Sequence, residues 1–272
     1  MKPGTRFLLA MPVYNEEEYV CRVVSRALRF ARHLLVVNDG STDRTPQRLA
    51  SFSHVDVINH ETNLGYGRSL IDAFTYAITR GYDYVVTMDC DEQHEPEAIP
   101  RFLAEMPDYD IVSGSRYQWD WGEDDPPPPE RRRVNLAVSR ILTDLTGYEM
   151  TDAFCGQKAY RVSALKRLTL TEAGYAMPLE LWVQAAAAGL TVKEIPVRRI
   201  YKDFSRTFGG DLDDADRRLA HYREVIERAR RAAGLPEPVA SSGAESDRAA
   251  CQTCCTSLGE GSGSRSGGCC RC

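Results

Sequence analysis

Two acidic residues, Asp89 and Asp91, follow the apolar run at residues 84–88 and are separated by one residue. In a strand, residues two apart point to the same face, so the two carboxylates are expected to lie side by side. Like charges in this arrangement repel each other unless a cation lies between them. A hard divalent cation that keeps coordination positions for water and phosphate oxygens suits such a pair. The pair therefore predicts a metal–diphosphate site and a nucleotide-activated substrate.

The elements that must position these acids alternate between strand and helix signals over residues 6–113. This alternation predicts an α/β fold with a mostly parallel, doubly wound sheet and helices on both faces. Strands are predicted at residues 6–11, 34–38, 55–59, 84–88 and 110–113, and helices at residues 16–31, 70–78 and 96–106. Such sheets bind ligands at the carboxyl ends of their strands. The acidic clusters around Asp39 and Asp89 both fall at such ends.

The second part of the chain combines a basic segment with an amphipathic pattern. Residues 131–133 are all arginine, and apolar residues at helical spacing predict a helix over residues 134–145. Arg133, Asn135, Ser139 and Arg140 fall away from its apolar face. A surface helix packed on the core fits this pattern, and so does an interfacial helix whose arginines meet anionic lipid. Further strands at residues 155–161 and 191–201, with helices at 178–188 and 211–233, are expected to extend the same sheet and to form a small acceptor-side lobe.

Size and composition limit the classes of function. A chain of 272 residues can form one large α/β domain or two small ones. The 34 Lys and Arg residues against 39 Asp and Glu give no basic field, so nucleic acid is not an expected partner. No apolar run approaches the ~20 residues that span a bilayer, and the N-terminal residues lack signal-peptide features. We expect a cytoplasmic protein, at most peripheral on the cytoplasmic face of a membrane.

The cysteines are unevenly distributed. Cys21, Cys90 and Cys155 lie in the body of the chain, and their small number indicates a reducing compartment. The other cysteines lie in a Ser/Gly-rich tail over residues 238–272, whose composition predicts a disordered appendage. Zinc binding and palmitoylation are the alternatives that its clustered thiols leave open.

Four polar segments follow four successive predicted strands. They are residues 11–16, 38–43, 63–67 and 88–94. In the second segment, the Asp39 carboxylate can accept hydrogen bonds from a base or a ribose, because an ionised carboxylate is an acceptor only. Gly40 permits a tight turn, and Ser41 or Thr42 can cap the next helix. Taken singly, each segment also fits an ordinary strand–turn–helix connection.

Taken together, the segments read Pro-x-Tyr-Asn-Glu, Asp-Gly-Ser-x-Asp, Asn-x-Gly-x-Gly and Asp-x-Asp-x-Gln-His. In this order they resemble the family 2 glycosyltransferases, and within that family the polyprenol-phosphate (dolichol-phosphate) mannosyl- and glucosyltransferases. The resemblance covers residues 6–210. It implies the glycosyltransferase-A fold and an inverting, metal-dependent transfer of a hexose from GDP-mannose or UDP-glucose to polyprenyl phosphate. A soluble glycan, protein or small-molecule acceptor is the alternative on the same fold.

The resemblance also implies roles for individual residues. The nucleotide sugar would contact Pro12, Tyr14, Glu16, Asp39, Asp89, Arg116 and Arg206. Asp91 and Gln93 would coordinate Mg²⁺ or Mn²⁺, which would stabilise the departing nucleoside diphosphate. Arg133, Ser139 and Arg140 would meet the lipid phosphate of the acceptor. An ordinary surface ion pair is the alternative for Arg116.

Two further carboxylates are catalytic candidates besides Asp91. Asp152 would orient the sugar or the acceptor, and Glu180 would do the same or act as a base. A helix-capping or ion-paired carboxylate explains each of them nearly as well. The segment after Asp152 departs from the family pattern, because Cys155 replaces serine and residues 157–158 replace Phe-Arg. These departures leave the sugar and the acceptor open.

Two other classes of protein share part of this pattern. A sugar nucleotidyltransferase also uses paired acids, but its glycine- and arginine-rich N-terminal phosphate loop is missing here. The intact Asp89, Asp91 and Gln93 speak against a degenerate sugar-nucleotide-binding protein, but the changes around Cys155 keep that alternative open. We expect a catalytic domain over residues 1–237, with a nucleotide-sugar half at 1–115 and an acceptor half at 116–237.

Overall fold

Seven strands form one sheet in the computed structural model, which describes residues 4–122, 125–201 and 210–237. The strands are β1 (Phe7–Val13), β2 (Leu34–Asn38), β3 (Asp56–Asn59), β4 (Tyr84–Thr87), β5 (Ile111–Ser115), β6 (Lys158–Arg161) and β7 (Val192–Pro196). Their order is β3-β2-β1-β4-β6-β5-β7. Each pair is parallel except for the two pairs of β6, which runs antiparallel to both β4 and β5. The predicted mostly parallel sheet is confirmed.

Eight α-helices accompany these strands in the described residues. They are α1 (Val20–Ala27), α2 (Thr45–Leu49), α3 (Tyr66–Thr79), α4 (Ile99–Glu105), α5 (Pro129–Thr146), α6 (Val162–Leu165), α7 (Met177–Ala187) and α8 (Ala215–Ala233). Short 3₁₀ turns at Pro96–Ala98 and Gly210–Asp213 precede α4 and α8.

Alternate residues of the central strands pack into two separate cores. On β1, Leu8 and Ala10 belong to the core that includes α3 and α7, whereas Leu9 and Met11 belong to the core that includes α1 and α4. A strand covered on both faces needs apolar residues at every position, which explains the continuous apolar runs of β1 and β2. Helices therefore cover both faces of the sheet, as predicted.

The helix over residues 134–145 begins earlier than predicted and turns two polar residues inward. It is α5, and it packs with α7 and α8 through residues such as Val138, Trp182 and Tyr222. Asn135 and Ser139, placed by the sequence pattern outside its apolar face, are buried. A polar side chain can be buried where it has a hydrogen-bond partner. The partners of Asn135 and Ser139 come from the segment around Asp152.

Several predicted boundaries of helices and strands differ from those in the structure. The helix predicted at residues 16–31 is α1, which begins only at Val20 because the preceding residues form a loop. The strand predicted at residues 155–161 begins at Lys158, and that at 191–201 ends at Pro196. Ser41 and Thr42 do not cap α2; instead, Asp43 Oδ1 accepts from the Thr45 amide at 2.9 Å.

The predicted tail at residues 238–272 and the predicted phosphate contact Arg206 lie outside the described residues. Residues Met1–Glu237 form one unit by their internal contacts. None of the described helices has both the length and the apolar character that crossing a bilayer requires.

Candidate active site

A cavity of about 800 Å³ opens beyond the carboxyl ends of β1, β2 and β4. Its lining contains eight of the residues singled out in the sequence: Pro12, Tyr14, Glu16, Asp39, Asp89, Asp91, Gln93 and Arg116. The carboxyl ends of parallel strands meet at one edge of a sheet, and residues far apart in the chain converge there.

The first two polar segments are fastened to each other by hydrogen bonds. The Asn15 amide donates to Ser41 Oγ at 2.9 Å, and the Thr42 amide donates to Asn15 Oδ1 at 2.8 Å. Asn15 holds a positive φ of 54°, an uncommon conformation that asparagine tolerates better than most residues. Burial would raise the pKa of Asp43, but hydrogen bonds from Thr45 and from the Glu17 amide lower it below the ordinary value. These bonds fix one wall of the cavity.

Asp39 ties the second segment to the third. Its Oδ1 accepts from the Leu64 amide at 2.8 Å and its Oδ2 from the Gly65 amide at 2.9 Å. His60 Nδ1 lies 2.7 Å from Oδ1, and His60 Nε2 lies 3.0 Å from Asp72 Oδ2. Asp39 is only 3% exposed but still lines the cavity. The carboxylate is thus held rigidly at the end of β2.

Asp89 and Asp91 lie in the loop after β4, because that strand ends at Thr87. The predicted shared strand face is therefore wrong, although both residues line the same cavity. Asp89 Oδ1 accepts from the Tyr66 hydroxyl at 3.1 Å. Asp91 Oδ1 accepts from the Gln93 amide at 3.0 Å. The loop itself brings the two carboxylates to one wall.

His94 stabilises this loop by a hydrogen bond, a role that the sequence did not predict. Its Nδ1 accepts from the Asp89 amide at 3.0 Å, so the ring proton belongs on Nε2 in the neutral form. Burial lowers the pKa of His94 to about 4, although the Asp91 carboxylate opposes the shift. The ring is neutral near pH 7 and acts as an acceptor for the loop.

Gly156 lies just before β6 and allows the backbone there to approach Asp89 closely. A Cβ at this position would lie 2.3 Å from Asp89 Oδ2 and 2.9 Å from Oδ1. Only a residue without a side chain fits at this distance. Next along the chain, Gln157 donates from Nε2 to the Glu95 carbonyl at 2.8 Å, which joins the same loop to β6.

Lys158, the next residue along β6, is also buried. Its ammonium group donates to the Cys155 carbonyl and lies 5.5 Å from the Trp182 ring. Burial lowers the pKa of Lys158, against the opposing effects of Cys155 and the nearby acids.

Asp152 and Arg116 form a buried ion pair. Arg116 donates from Nε to Oδ2 at 2.7 Å and from Nη2 to Oδ1 at 2.9 Å, and Asn135 Nδ2 donates to Oδ1 at 2.7 Å. Burial would raise the pKa of Asp152, but Arg116 and these hydrogen bonds lower it to about 2. Asp152 is fully buried and does not line the cavity, whereas Arg116 does. Direct contact of Asp152 with sugar or acceptor is therefore not supported, and its carboxylate positions Arg116.

Glu180 does not have the surroundings of a catalytic base. Its Oε2 accepts from the amides of Thr171 and Glu172, both at 2.8 Å, and its Oε1 accepts from the Thr171 hydroxyl at 2.8 Å. The side chain is buried and lies outside the cavity lining. The prediction of a base is corrected: the carboxylate holds the loop before α7, which places Tyr175 at the cavity rim.

Basic and aromatic side chains also line the cavity, and they are called here its basic, aromatic wall. They are Arg116, Tyr117, Arg131, Phe154, Tyr175, Tyr201, Arg218 and Tyr222. The Arg132 guanidinium lies 4.0 Å from the centroid of the Tyr117 ring, and this cation–π contact stabilises the position of the ring. The wall combines groups suited to an anion with groups suited to an apolar chain.

The three residues predicted to meet a lipid phosphate do not line this wall. Arg133 and Arg140 are exposed on α5, and Arg133 pairs with Asp216 at 2.8 Å. Ser139 is buried, donating to Asn135 Oδ1 at 2.9 Å and accepting from the Ala153 amide at 3.2 Å, so it cannot reach a lipid phosphate. Of the arginine run, Arg131 faces the cavity, which the sequence could not distinguish from its neighbours.

The acidic residues of the cavity lining fit a hard divalent cation. Asp89, Asp91 and Gln93, called here the acidic wall together with the nearby Asp39, offer carboxylate and amide oxygens, and Mg²⁺ and Mn²⁺ prefer oxygen ligands. Within the described ranges no group of three His, Cys, Asp or Glu residues is arranged to hold a metal. Such a cation is usually bound through one or two carboxylates together with substrate phosphates.

The fold and the site together define a glycosyltransferase with the glycosyltransferase-A fold. Residues 9–169 match the family model for glycosyl transferase family 2, and the chain belongs to this family. It is 32% identical over 222 residues to the undecaprenyl-phosphate mannosyltransferase of Micrococcus luteus, covering 77% of this chain and 90% of the relative. It is 29% identical to the polyprenol monophosphomannose synthase of Mycolicibacterium smegmatis, covering 85% and 92%. The predicted resemblance to polyprenol-phosphate transferases is confirmed.

The fold has solved counterparts. Glucosyl-3-phosphoglycerate synthase from Mycobacterium tuberculosis, in complex with Mn²⁺ and UDP-glucose, superposes with a TM-score of 0.63. The match covers 86% of this chain and 81% of that chain at 21% sequence identity. At this identity the likeness concerns the fold, and it confirms the predicted architecture.

Proposed function

We propose that this glycosyltransferase transfers a hexose from a nucleotide sugar to polyprenyl phosphate at the cytoplasmic face of a membrane. The observation that carries the proposal is a cavity whose lining combines carboxylates with arginines and aromatic rings. Its curated relatives are named for undecaprenyl-phosphate and polyprenol substrates, and a structural neighbour was solved with UDP-glucose. Catalysis is assigned to residues 1–237, without a part for residues 238–272.

The donor would bind along the acidic wall. Pro12, Tyr14, Glu16 and Asp39 would contact the nucleoside, and Asp89 would face its diphosphate. Asp39 is held by backbone amides on both oxygens, so it keeps its orientation when the ligand arrives. Binding groups fixed in advance reduce the entropy cost of association.

Asp91 and Gln93 would hold the divalent cation. When bound, Mg²⁺ or Mn²⁺ supplies positive charge that stabilises the departing nucleoside diphosphate. A structural neighbour solved with Mn²⁺ and UDP-glucose, and another with Mg²⁺ and UDP, support this choice of ion. The residues of this chain contribute the oxygen ligands and the orientation of the diphosphate.

The acceptor would bind at the other wall. Arg131 and Arg218 offer positive charge to its phosphate, while aromatic rings such as Tyr222 offer apolar surface to the first isoprene units. Arg116, held by Asp152, would contact the phosphate of the donor. An oxygen of the acceptor phosphate attacks the anomeric carbon as its bond to the nucleoside diphosphate breaks, so the configuration inverts. This nucleophile is already anionic, which agrees with the absence of a base role for Glu180. Catalysis then depends on positioning and on electrostatic stabilisation.

Transfer assays with the full chain test the proposal directly. The chain is incubated with GDP-mannose or UDP-glucose, Mn²⁺, and either undecaprenyl phosphate in detergent micelles or 3-phosphoglycerate. We expect a β-linked lipid product in one donor series, its loss with EDTA, and no product from 3-phosphoglycerate. Transfer to 3-phosphoglycerate alone would replace the lipid acceptor with a soluble one, and transfer to neither would contradict the proposal.

Membrane contact is tested separately from the acceptor site. Arg133 and Arg140 are exposed on α5 and lie outside the cavity lining. Replacing both with glutamate should reduce binding to liposomes containing anionic lipid, because each arginine near such a surface contributes about 1 kcal/mol. Transfer to acceptor in detergent micelles should be unaffected. Unchanged liposome binding would exclude this helix from the membrane contact.

A further inference from the structure

The Asp89 carboxylate is enclosed from two sides by residues outside its own loop. On one side its Oδ1 accepts from the Tyr66 hydroxyl at 3.1 Å. On the other side the Gly156 backbone approaches so closely that a Cβ there would lie 2.9 Å or less from the carboxylate carbon and both oxygens. Asp89 is nevertheless 30% exposed toward the cavity. The carboxylate therefore reaches the cavity with its orientation set by these neighbours.

Tyr66 is itself held in place by the residues around it. It is the first residue of α3, and the amide of Gly65 before it donates to Asp39 Oδ2. Its ring stacks on the Tyr175 ring, with centroids 5.8 Å apart and an interplanar angle of 19°. These contacts fix the position from which the Tyr66 hydroxyl donates to Asp89.

We propose that Tyr66 is a positioning residue that orients Asp89 for the diphosphate of the donor. The short path from Asp39 through Gly65 and Tyr66 to Asp89 joins the nucleoside end of the site to the diphosphate end. The donor can then meet both carboxylates in one fixed spacing. This inference rests on the proposed function, because it assumes that Asp89 faces a nucleoside diphosphate.

The variant Tyr66→Phe isolates the hydroxyl, because it preserves the aromatic ring that stacks on Tyr175. The same helix offers a matched control. Tyr76, also in α3, donates from its hydroxyl to Asp56 Oδ2 at 2.7 Å, outside the cavity lining. Tyr76→Phe therefore removes a tyrosine–aspartate hydrogen bond of the same kind without touching the site.

Binding of Mn²⁺–UDP and Mn²⁺–GDP is measured by calorimetry for the wild-type chain and both variants, alongside their melting temperatures. We expect about tenfold weaker nucleotide binding for Tyr66→Phe, since hydrogen bonds to charged groups are among the stronger ones. Tyr76→Phe should bind as the wild type does. Wild-type affinity in folded Tyr66→Phe would overturn this inference and leave the proposed function standing. Absence of binding by the wild-type chain would overturn the proposed function as well.

A double-mutant cycle with Asp89→Asn distinguishes positioning from a general loss of structure. If Tyr66 acts through Asp89, removing its hydroxyl costs far less nucleotide affinity in the Asp89→Asn background than in the wild type. Additive losses would show that Tyr66 affects binding independently of Asp89, and would overturn the inference. Calorimetric binding is again the readout, so the cycle does not depend on turnover.

Discussion

Replacing Gly156 with alanine would place a methyl group against the Asp89 carboxylate. The new Cβ would lie 2.3 Å from Oδ2, whereas ordinary contacts of a Cβ begin at 3.4 Å. Oδ2 must therefore retreat by about 1 Å, given the difference between these two distances. Gly156 is not among the glycines with positive φ, so the backbone itself accepts alanine. The perturbation falls on the orientation of Asp89.

A misplacement of ~1 Å in a group that binds the reacting molecule can cost about 100-fold in rate. We therefore expect kcat/KM for sugar transfer to fall by about 100-fold in Gly156→Ala, equivalent to ~2.7 kcal/mol. Part of the strain will also appear as lost stability, because overpacking of this kind typically costs ~1–3 kcal/mol. Initial rates across donor concentrations, with the urea unfolding curve of the same preparation, measure the two effects separately.

Gly114→Ala is the matched control. A Cβ at Gly114 would lie 2.8 Å from Cys155 Sγ and 3.1 Å from the Gln157 carbonyl, so it also crowds the segment beside Gly156. None of the three atoms nearest to this Cβ belongs to Asp89. We expect a loss of stability in both variants and a large loss of kcat/KM in Gly156→Ala alone. Wild-type kcat/KM in folded Gly156→Ala, or an equal loss in both variants, would refute the reasoning.

Three other predictions follow from the site. Asp91→Ala should lower transfer by at least ~100-fold with an unchanged circular dichroism spectrum; wild-type turnover would exclude Asp91 from metal binding. Glu180→Gln should keep kcat within about twofold but lower the free energy of unfolding by ~1–2 kcal/mol in urea titrations, because an amide NH₂ would face a donor; a loss of kcat at unchanged stability would restore the base role. Burial lowers the pKa of His94 from 6.5 to about 4. Between these two pH values the unfolded chain binds a proton that the folded chain does not bind. Its contribution to stability is full above pH 6.5 and falls by up to ~3 kcal/mol as the pH drops to about 4. Urea titrations at stepped pH should show this slope in the wild type and less of it in His94→Gln; identical slopes would contradict the assignment.

The fold was largely predictable because its strands carry strong local signals. The strand at residues 34–38 was predicted with its observed bounds, since a continuous apolar run ends there at Asn38 and a turn follows. The convergence of Asp39 and Asp89 on one cavity was predictable for a different reason: parallel strands end at a common edge. The acidic wall thus follows from topology, without knowledge of any side-chain contact.

The contacts that hold the site could not be read from periodicity. Ser139 was assigned to a polar face, yet it is buried against Ala153 because a distant loop supplies its partner. Glu180 resembles a catalytic carboxylate in the sequence because its partners, the amides before α7, are backbone groups that the sequence does not display. The bond between Tyr66 and Asp89 joins residues 23 positions apart and leaves no pattern in either segment.

The antiparallel strand β6 has a consequence for the order in which the sheet can be completed during synthesis. β5 pairs only with β6 and β7, and both of these leave the ribosome after it. A nascent chain that ends at Ser115 therefore carries a strand without a neighbour and leaves one edge of β4 open, a state that invites aggregation. The two halves expected on either side of residue 115 share one sheet and are therefore not separate folding units. Neither half could be exchanged or expressed as an independent module.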